Sequence, residues 1–399
     1  MNSGRLQRRG RLLLGAFGVS AALGAPAAAD GWSVAGSLSQ SFEGDTNLTL
    51  DPNDDDGAFG STTSLGLRFS SETSRTSFVI SPGVTARLFT ESSSSDNPTS
   101  ISPRLSSRID HRVGAFDIGG GFIFDVRPTA FSELNDLELG APDLEVIDQD
   151  ATQISFRADA AIGYQIDSGN RFNIGPNFSI IRYTDDSDAL SPSTTFGVSG
   201  GYSHQLNSRL ALTAGLGARY VDTDGTPSSK DVLVDTNVGV RGQISDRFTL
   251  DGAIGLSFQN SRDSASGSDN GIGFTTDVDA AYAIRDDLSL SLVASRGIEP
   301  SASGGLETRT FVGASVSHLI NTRESVDFNF GYSSQDDFAG FTGDTDDSQF
   351  QTGFGYSLSV TPEIAARIGY AFRWVPSGRD EAMSHKLTLS FSGDRVFQP

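Results

Sequence analysis

The sequence predicts an all-β fold: a transmembrane, antiparallel, up-and-down β-barrel of about 18 strands, with 16 as the alternative count. Three observations predict it. Apolar and polar residues alternate along many runs, short and long connections alternate between the runs, and aromatic residues gather at both ends of the runs.

The alternation is clearest at 350–374. Every second residue from Phe350 to Val360 is apolar or Thr, and the pattern resumes from Ile364 to Trp374. Period two is typical of a strand with one apolar and one polar face. Each run has eleven residues, whereas strands of soluble proteins average about 5–6 and a tilted strand needs about 9–11 to cross a bilayer. This stretch is therefore predicted to be a membrane-spanning hairpin.

The first residues have the character of an export signal. A basic head is followed by the short apolar run Leu12–Ala25 and by three alanines at 27–29, which offer a cleavage site before Asp30. The head contains Arg5, Arg8, Arg9 and Arg11. We therefore divide the chain into a signal peptide, 1–29, and a transmembrane barrel, 30–399. No later stretch approaches 18 unbroken apolar residues, so transmembrane helices are not expected.

Composition excludes several classes of protein. The chain has no cysteine, which excludes disulfides and thiolate metal sites. Its formal charge is −21, and removing the four arginines of the signal leaves −25, so nucleic acid is not an expected partner. A disordered acidic chain does not fit either, because 27 phenylalanines and a regular apolar alternation are too much for disorder.

In chain order, the same pattern marks eighteen runs. Pro82, Pro103 and Pro176 fall inside three of them, where a missing N–H donor is expected to interrupt the ladder. The predicted apolar faces span 32–42, 65–69, 78–88, 101–109, 116–126, 154–166, 172–180, 196–206, 210–220, 232–244, 248–258, 274–284, 288–294, 310–320, 326–332, 350–360, 364–374 and 383–391.

The connections alternate in length. Short polar turns lie near 208, 246, 286, 322 and 362, and between them are longer stretches rich in Asp, Ser and Gly, such as 222–230, 260–270 and 335–347. Membrane barrels pair short periplasmic turns with long extracellular loops. A β-propeller also repeats at about 40 residues, but it needs a turn roughly every ten residues, and each period here holds only two long runs.

Aromatic residues mark both ends of the runs. One end carries Trp32, Tyr202, Phe248, Tyr282 and Phe391; the other carries Phe42, Tyr220, Phe258, Tyr332 and Trp374. A soluble sandwich does not usually show two such bands, whereas the two interfaces of a membrane favour them.

With these features, the chain resembles the outer-membrane β-barrel proteins of Gram-negative bacteria, and most of all the porin-type barrels of alphaproteobacteria. The resemblance covers roughly 32–391 and includes strand openings such as Ser37–Phe42. It implies the outer membrane as location, with membrane lipid, lipopolysaccharide and the barrel assembly machinery as partners; an oligomer is left open. The chain departs from the family where Gln398 and Pro399 follow Phe397, because such proteins typically end on an aromatic residue.

The polar face of the strands carries the candidate site. We expect it to line water, so that its charges need no buried partner. Basic residues predominate on strands near the barrel's start and end, and acidic ones on the far side. The predicted pore-lining residues are Arg68, Arg87, Arg104, Arg108, Asp235, Asp251, Asp277, Asp279, Asp327, Arg367, Arg373 and Lys386. In the long connection 127–150, Glu133, Asp136 and Glu138 are predicted to belong to a loop that folds inward and narrows the pore.

No catalytic set is visible. The chain has four histidines, and none is placed with a Ser and a carboxylate in an arrangement that supports nucleophilic catalysis. We therefore expect no enzymatic activity, cofactor or metal. The predicted function is a porin-like channel for passive diffusion of small hydrophilic solutes. Two alternatives stay open: a barrel that exports a polysaccharide or similar polymer, and a non-conducting adhesin or structural barrel.

Overall fold

The computed structural model describes residues 31–47, 57–90, 99–128, 151–184, 190–224, 228–263, 267–301, 305–337, 347–376 and 381–397. The predicted signal peptide lies outside them. Over these ranges no helix is long and apolar enough to span a membrane. The strands are β1 Trp32–Asp45, β2 Ala58–Glu72, β3 Thr76–Phe89, β4 Thr99–Val113, β5 Phe116–Pro128, β6 Thr152–Gln165, β7 Asn170–Tyr183, β8 Ser193–Gln205, β9 Leu210–Thr223, β10 Ser229–Ser245, β11 Phe248–Asp263, β12 Gly267–Arg285, β13 Leu288–Pro300, β14 Leu306–Leu319, β15 Glu324–Asp337, β16 Asp347–Thr361, β17 Ile364–Val375 and β18 Ala382–Phe397.

The strands form one closed antiparallel barrel. Each pairs with the next in sequence, and β18 returns to pair with β1, so that Phe42 lies opposite both Ser61 and Leu389. The predicted fold class and the count of eighteen are confirmed. Strands about 4.8 Å apart and tilted by about 40° would make such a barrel roughly 35 Å across between backbones. Side chains do not fill a cylinder of that width.

The strands are longer than the predicted runs of eleven residues. They range from 12 residues in β17 to 19 in β12. Strands extend into both 222–230 and 260–270, which were predicted as long loops: β9 ends at Thr223 and β10 begins at Ser229, while β11 ends at Asp263 and β12 begins at Gly267. Backbone hydrogen bonds need no apolar side chain, so a ladder can continue where the alternation has ended. We call the barrel's end at 208, 246 and 286 the short-turn end and the opposite one the loop end.

The two faces of the wall differ as predicted. The outer face carries exposed apolar side chains, among them Leu216 at 60% and Ile272 at 68% exposure. Aromatic rings contact one another at both ends of it: the ring centroids of Phe248 and Tyr282 are 6.4 Å apart, and those of Phe350 and Trp374 are 5.4 Å apart. Apolar surface of this extent is stable against lipid and not against water.

Prolines interrupt the ladders where the sequence indicates. Pairing between β2 and β3 is lost around Pro82, and pairing between β6 and β7 is lost around Pro176. The β4–β5 ladder begins only at Arg104, directly after Pro103. A proline has no N–H to donate, so one hydrogen bond is missing at each of these positions.

Candidate functional site

The inner face of the barrel is polar. Strand register places all twelve predicted pore-lining charges on this face; for example, Arg104 lies opposite Asp125, and Arg241 opposite Asp251. Among the described residues, basic side chains outnumber acidic ones on the inner face of β2–β7, and the reverse holds on β10–β15. That these residues line a conducting path stays a prediction.

Exposure divides the inner face into two halves. Toward the short-turn end, Arg68, Arg108 and Asp279 are exposed, and so are Arg104 and Asp277 near the middle of their strands. Toward the loop end the face is buried, and Asp231, Ser257 and Ser384 are at most 1% exposed. The lumen is thus open in one half and covered in the other.

Buried ion pairs occupy the loop-end half near the closure of the barrel. Arg373 Nη2 donates a hydrogen bond to Asp45 Oδ2 at 2.9 Å, and Ser384 Oγ donates one to Asp45 Oδ1 at 2.5 Å. Lys386 Nζ lies 2.5 Å from Glu43 Oε2. The expectation that charges on this face are solvated is therefore wrong for Arg373 and Lys386, and also for Arg87, which is 8% exposed. Paired charges tolerate this burial because each finds a counter-ion or hydrogen bond.

A second pair lies flat against the wall. Both terminal nitrogens of Arg367 donate to Asp327, at 2.7 and 2.6 Å, across β16, which separates the two strands. The residue beneath them is Gly355, where an added Cβ would come within 2.2 Å of Arg367 Nη2. Glycine therefore leaves the space in which this bidentate pair lies.

Carboxylates gather on the inner face of β11 and β12. Asp251 lies opposite Asp279 and accepts a hydrogen bond from Arg241 at 2.5 Å. Together with Asp277, these residues border a cavity of about 350 Å³. Asp235 lies apart from them and pairs with Arg219 at 3.1 Å. Within the described ranges no group of three or more His, Cys, Asp or Glu could hold a metal ion.

At the loop end of the β13–β14 hairpin, residues 297–301 and 305–309 turn into the lumen. Ile298 and Leu306 are buried in one cluster with Val221 and Leu233, which lie on the inner face of β9 and β10. Arg219 Nη2 donates to the carbonyl oxygen of Ile298 at 3.2 Å. The hairpin therefore crosses in front of three strands of its own barrel. We call this segment the inward hairpin.

The sequence did not reveal the inward hairpin. Its signal is faint: Leu306 and Ile298 are isolated apolar residues beyond the alternating runs. The loop that was predicted to narrow the pore, with Glu133, Asp136 and Glu138, lies outside the described residues, and its inward position stays a prediction.

A family model described as "Outer membrane protein beta-barrel domain" matches residues 156–318, which is under half of the chain. Combined with the closed barrel and its apolar outer face, this match decides the location. The chain is an outer-membrane β-barrel. No curated protein matches the sequence.

Solved structures share the fold at low sequence identity. The FrpB iron transporter of Neisseria meningitidis (F5-1 variant, apoprotein form) has 8% identity and a TM-score of 0.50, over 92% of this chain and 82% of its own. The F3-3 variant of FrpB has 10% identity and a TM-score of 0.48, and the match spans 87% of this chain but only 62% of that chain. OccAB3 of Acinetobacter baumannii has 12% identity and a TM-score of 0.49, over 92% of this chain and 99% of its own. At 8% identity the likeness to the F5-1 apoprotein form concerns the fold alone.

Proposed function

We propose that the barrel is a channel for the passive diffusion of small hydrophilic solutes across the outer membrane. One observation carries the proposal. The inner wall is polar and water-exposed over the short-turn half of a barrel with eighteen strands, and barrels of about 16–18 strands leave an aqueous channel. Passage through such a lumen needs neither a cofactor nor a catalytic group, because pore width and wall charge do the selecting.

The packing of polar side chains favours an open lumen. Amide side chains lie over glycines of the neighbouring strand: an added Cβ at Gly201 would meet Asn173 Oδ1 at 2.6 Å, and one at Gly353 would meet Asn329 Oδ1 at 2.5 Å. A long polar side chain that lies along the wall takes up little of the lumen's cross-section. The wall is therefore lined with hydrogen-bonding groups and still leaves room for water and solute.

The loop-end half supplies the selective part of the proposed path. The inward hairpin reduces the cross-section beside β9 and β10, where Arg219 and Asp235 are paired. Solutes that pass it reach the carboxylates Asp251, Asp277 and Asp279. Glu133, Asp136 and Glu138 would add negative charge to the same half if their loop enters the lumen as predicted. Small, uncharged or cationic hydrophilic solutes fit this lining best.

Partners follow from location. The exposed apolar outer face contacts membrane lipid, with lipopolysaccharide in the outer leaflet. We infer that the chain is inserted by the barrel assembly machinery, as the resemblance to porin-type barrels implies. Oligomer formation is a separate prediction. Exposed apolar residues occur on strands all around the barrel, and they mark no single contact face between copies.

Liposome swelling tests the proposed function. Purified protein is reconstituted into liposomes, which are then diluted into isotonic solutions of sugars of increasing size. We expect swelling whose rate falls as the sugar becomes larger, because a narrowed aqueous pore sieves by size. Protein-free liposomes serve as the control. A fully inserted protein that passes none of the sugars would contradict a diffusion channel and favour the adhesin alternative.

A further inference from the structure

The wall is incompletely closed between β12 and β13. Their ladder runs from Thr276–Arg296 to Arg285–Leu288. In the part of the chain that the structure describes, no pairing joins 267–275 of β12 to 297–300 of β13. On their other sides both strands stay paired, β12 with β11 out to Gly267 and β13 with β14 out to Pro300. The gap is therefore a seam between two intact hairpins.

The inward hairpin accounts for the seam. Beyond Arg296, β13 separates from β12, and β13 and β14 bend together toward β9 and β10 while β14 stays paired with β15 out to Glu307. There Ile298 and Leu306 pack against Val221 and Leu233, and Arg219 binds the Ile298 carbonyl. Burial of these apolar side chains stabilises the inward position and holds the hairpin away from β12.

The seam reaches membrane depth. Ile272 pairs with Phe258 of the aromatic band at the loop end, and Phe274 pairs with Leu256, farther from that end. Thr276, where pairing with β13 begins, lies deeper still. Unpaired backbone at this depth is tolerated only where it lines a water-filled cavity or is buried in protein. A cavity of about 470 Å³ lies here.

Residues of both faces line this cavity. Ile254, Thr276 and Arg296 belong to the outer face by register, whereas Asn237, Asp277 and Ser295 belong to the inner face. Glu299 and Arg309 of the inward hairpin also line it. The cavity thus lies in the wall between the polar lumen and an outer surface that is strongly apolar, since Ile254, Ile272 and Phe274 are 54%, 68% and 50% exposed.

We propose that the β12–β13 seam is a lateral portal that admits a single-chain amphiphile with an uncharged or cationic head group between the lumen and the outer leaflet. The tail lies against Ile254, Ile272 and Phe274. The head occupies the cavity, where the two carboxylates of Asp277 and Glu299 face the single cation of Arg296, while Arg309 is already paired with Glu307. That balance of charge disfavours an anionic head. This inference rests on the proposed function, because it needs a water-filled lumen.

Lipid access to the inner face tests the portal. The chain has no cysteine, so single variants can be labelled cleanly. Ser295→Cys places a small fluorophore on the inner face at the seam. Ser291→Cys is the matched control. Ser291 lies on the same strand and the same face, but it pairs with Ala281 in the part of the wall that is closed. In bilayers with doxyl-labelled acyl chains, we expect several-fold stronger quenching at 295 than at 291. Equal quenching at the two positions would overturn the portal.

Channel block tests the occupant and separates this inference from the proposed function. Dodecyltrimethylammonium, below its micellar concentration, should reduce ion conductance more than tetramethylammonium or dodecanoate does. A disulfide between Thr275→Cys and Gly297→Cys, confirmed by loss of free thiol, should abolish that block while the barrel still conducts. Because the disulfide draws the inward hairpin toward β12, we expect basal conductance to rise. A Cβ at Gly297 meets no atom within 4 Å, so the cysteine fits. Block that persists in the oxidised variant, or equal block by all three probes, would refute the portal; absence of any conductance would instead refute the channel.

Discussion

Arg373 and Asp45 show how differently two charges of one barrel face can be situated. Their side chains are 10% and 0% exposed, and Ser384 and the backbone N–H of Asn47 also donate to Asp45. The pair of Arg108 and Asp110 has a similar distance, 2.9 Å, but the side chains are 61% and 47% exposed. Solvent screens the second pair and not the first. Two ion pairs of the same length therefore differ in how much the loss of one partner changes the free energy of unfolding.

Arg373→Gln is therefore expected to destabilise the barrel strongly. Removing the cation leaves the Asp45 carboxylate buried without that counter-ion, and such a change typically costs about 3 kcal/mol. Arg108→Gln, the matched control, should change the free energy of unfolding by less than about 1 kcal/mol. Urea unfolding in lipid vesicles measures both. Similar losses for the two variants would show that water screens the Arg373–Asp45 pair as well.

At the scale of the element, the inward hairpin is, among the described residues, the segment that projects into the lumen. It separates from β12 beyond Arg296. A small apolar cluster and one hydrogen bond from Arg219, 79 positions away in sequence, hold it inward, while β14 stays paired with β15. The apolar part of this restraint can be weakened by a single substitution.

Leu306→Ala is expected to loosen the inward hairpin and raise single-channel conductance. Truncating a buried leucine typically costs about 2–5 kcal/mol of packing, and here that cost falls on the docked position of the hairpin. Leu292→Ala is the control, because Leu292 is 45% exposed and lies on the outer face of the adjoining strand. Planar-bilayer recording should show larger and noisier openings for the first variant only. Unchanged openings in Leu306→Ala would mean that the hairpin does not restrict the path.

At the scale of the whole molecule, the sequence predicts the part of each strand in which apolar and polar residues alternate. Each of the eighteen predicted runs corresponds to a strand, because a lipid-facing wall requires apolar residues at alternate positions throughout. Strand ends beyond the membrane, such as Ser229 and Asp263, were not predictable, since backbone pairing there places no demand on side-chain polarity.

The burial of inner-face residues in the loop-end half could not be predicted from the sequence. Lys386 and Arg104 both belong to the polar face, yet Lys386 is buried and Arg104 is exposed. The alternating pattern is the same for a buried and for an exposed residue of the polar face. Burial depends on side chains that are distant in sequence, such as Glu43, which pairs with Lys386. For the same reason the contact of Ile298 with β9 leaves no trace in local pattern.

Orientation in the membrane is tested by epitope accessibility. The short turns should face the periplasm and the loop end the cell exterior. Tags inserted at 225 or 265 should therefore be reached by antibody on intact cells, whereas tags at 208 or 246 should be reached only after the outer membrane is permeabilised. The reverse labelling pattern would mean that the barrel is inserted in the opposite sense.

Single-channel recording of the purified protein in planar bilayers tests the central claim, a water-filled path through the barrel, most directly. We expect stepwise ion conductance with a weak preference for cations at low salt. That preference should fade as salt rises, because the Debye length falls from about 10 Å at 0.1 M to about 3 Å at 1 M. Silent bilayers, with protein shown to be inserted and folded, would contradict the channel.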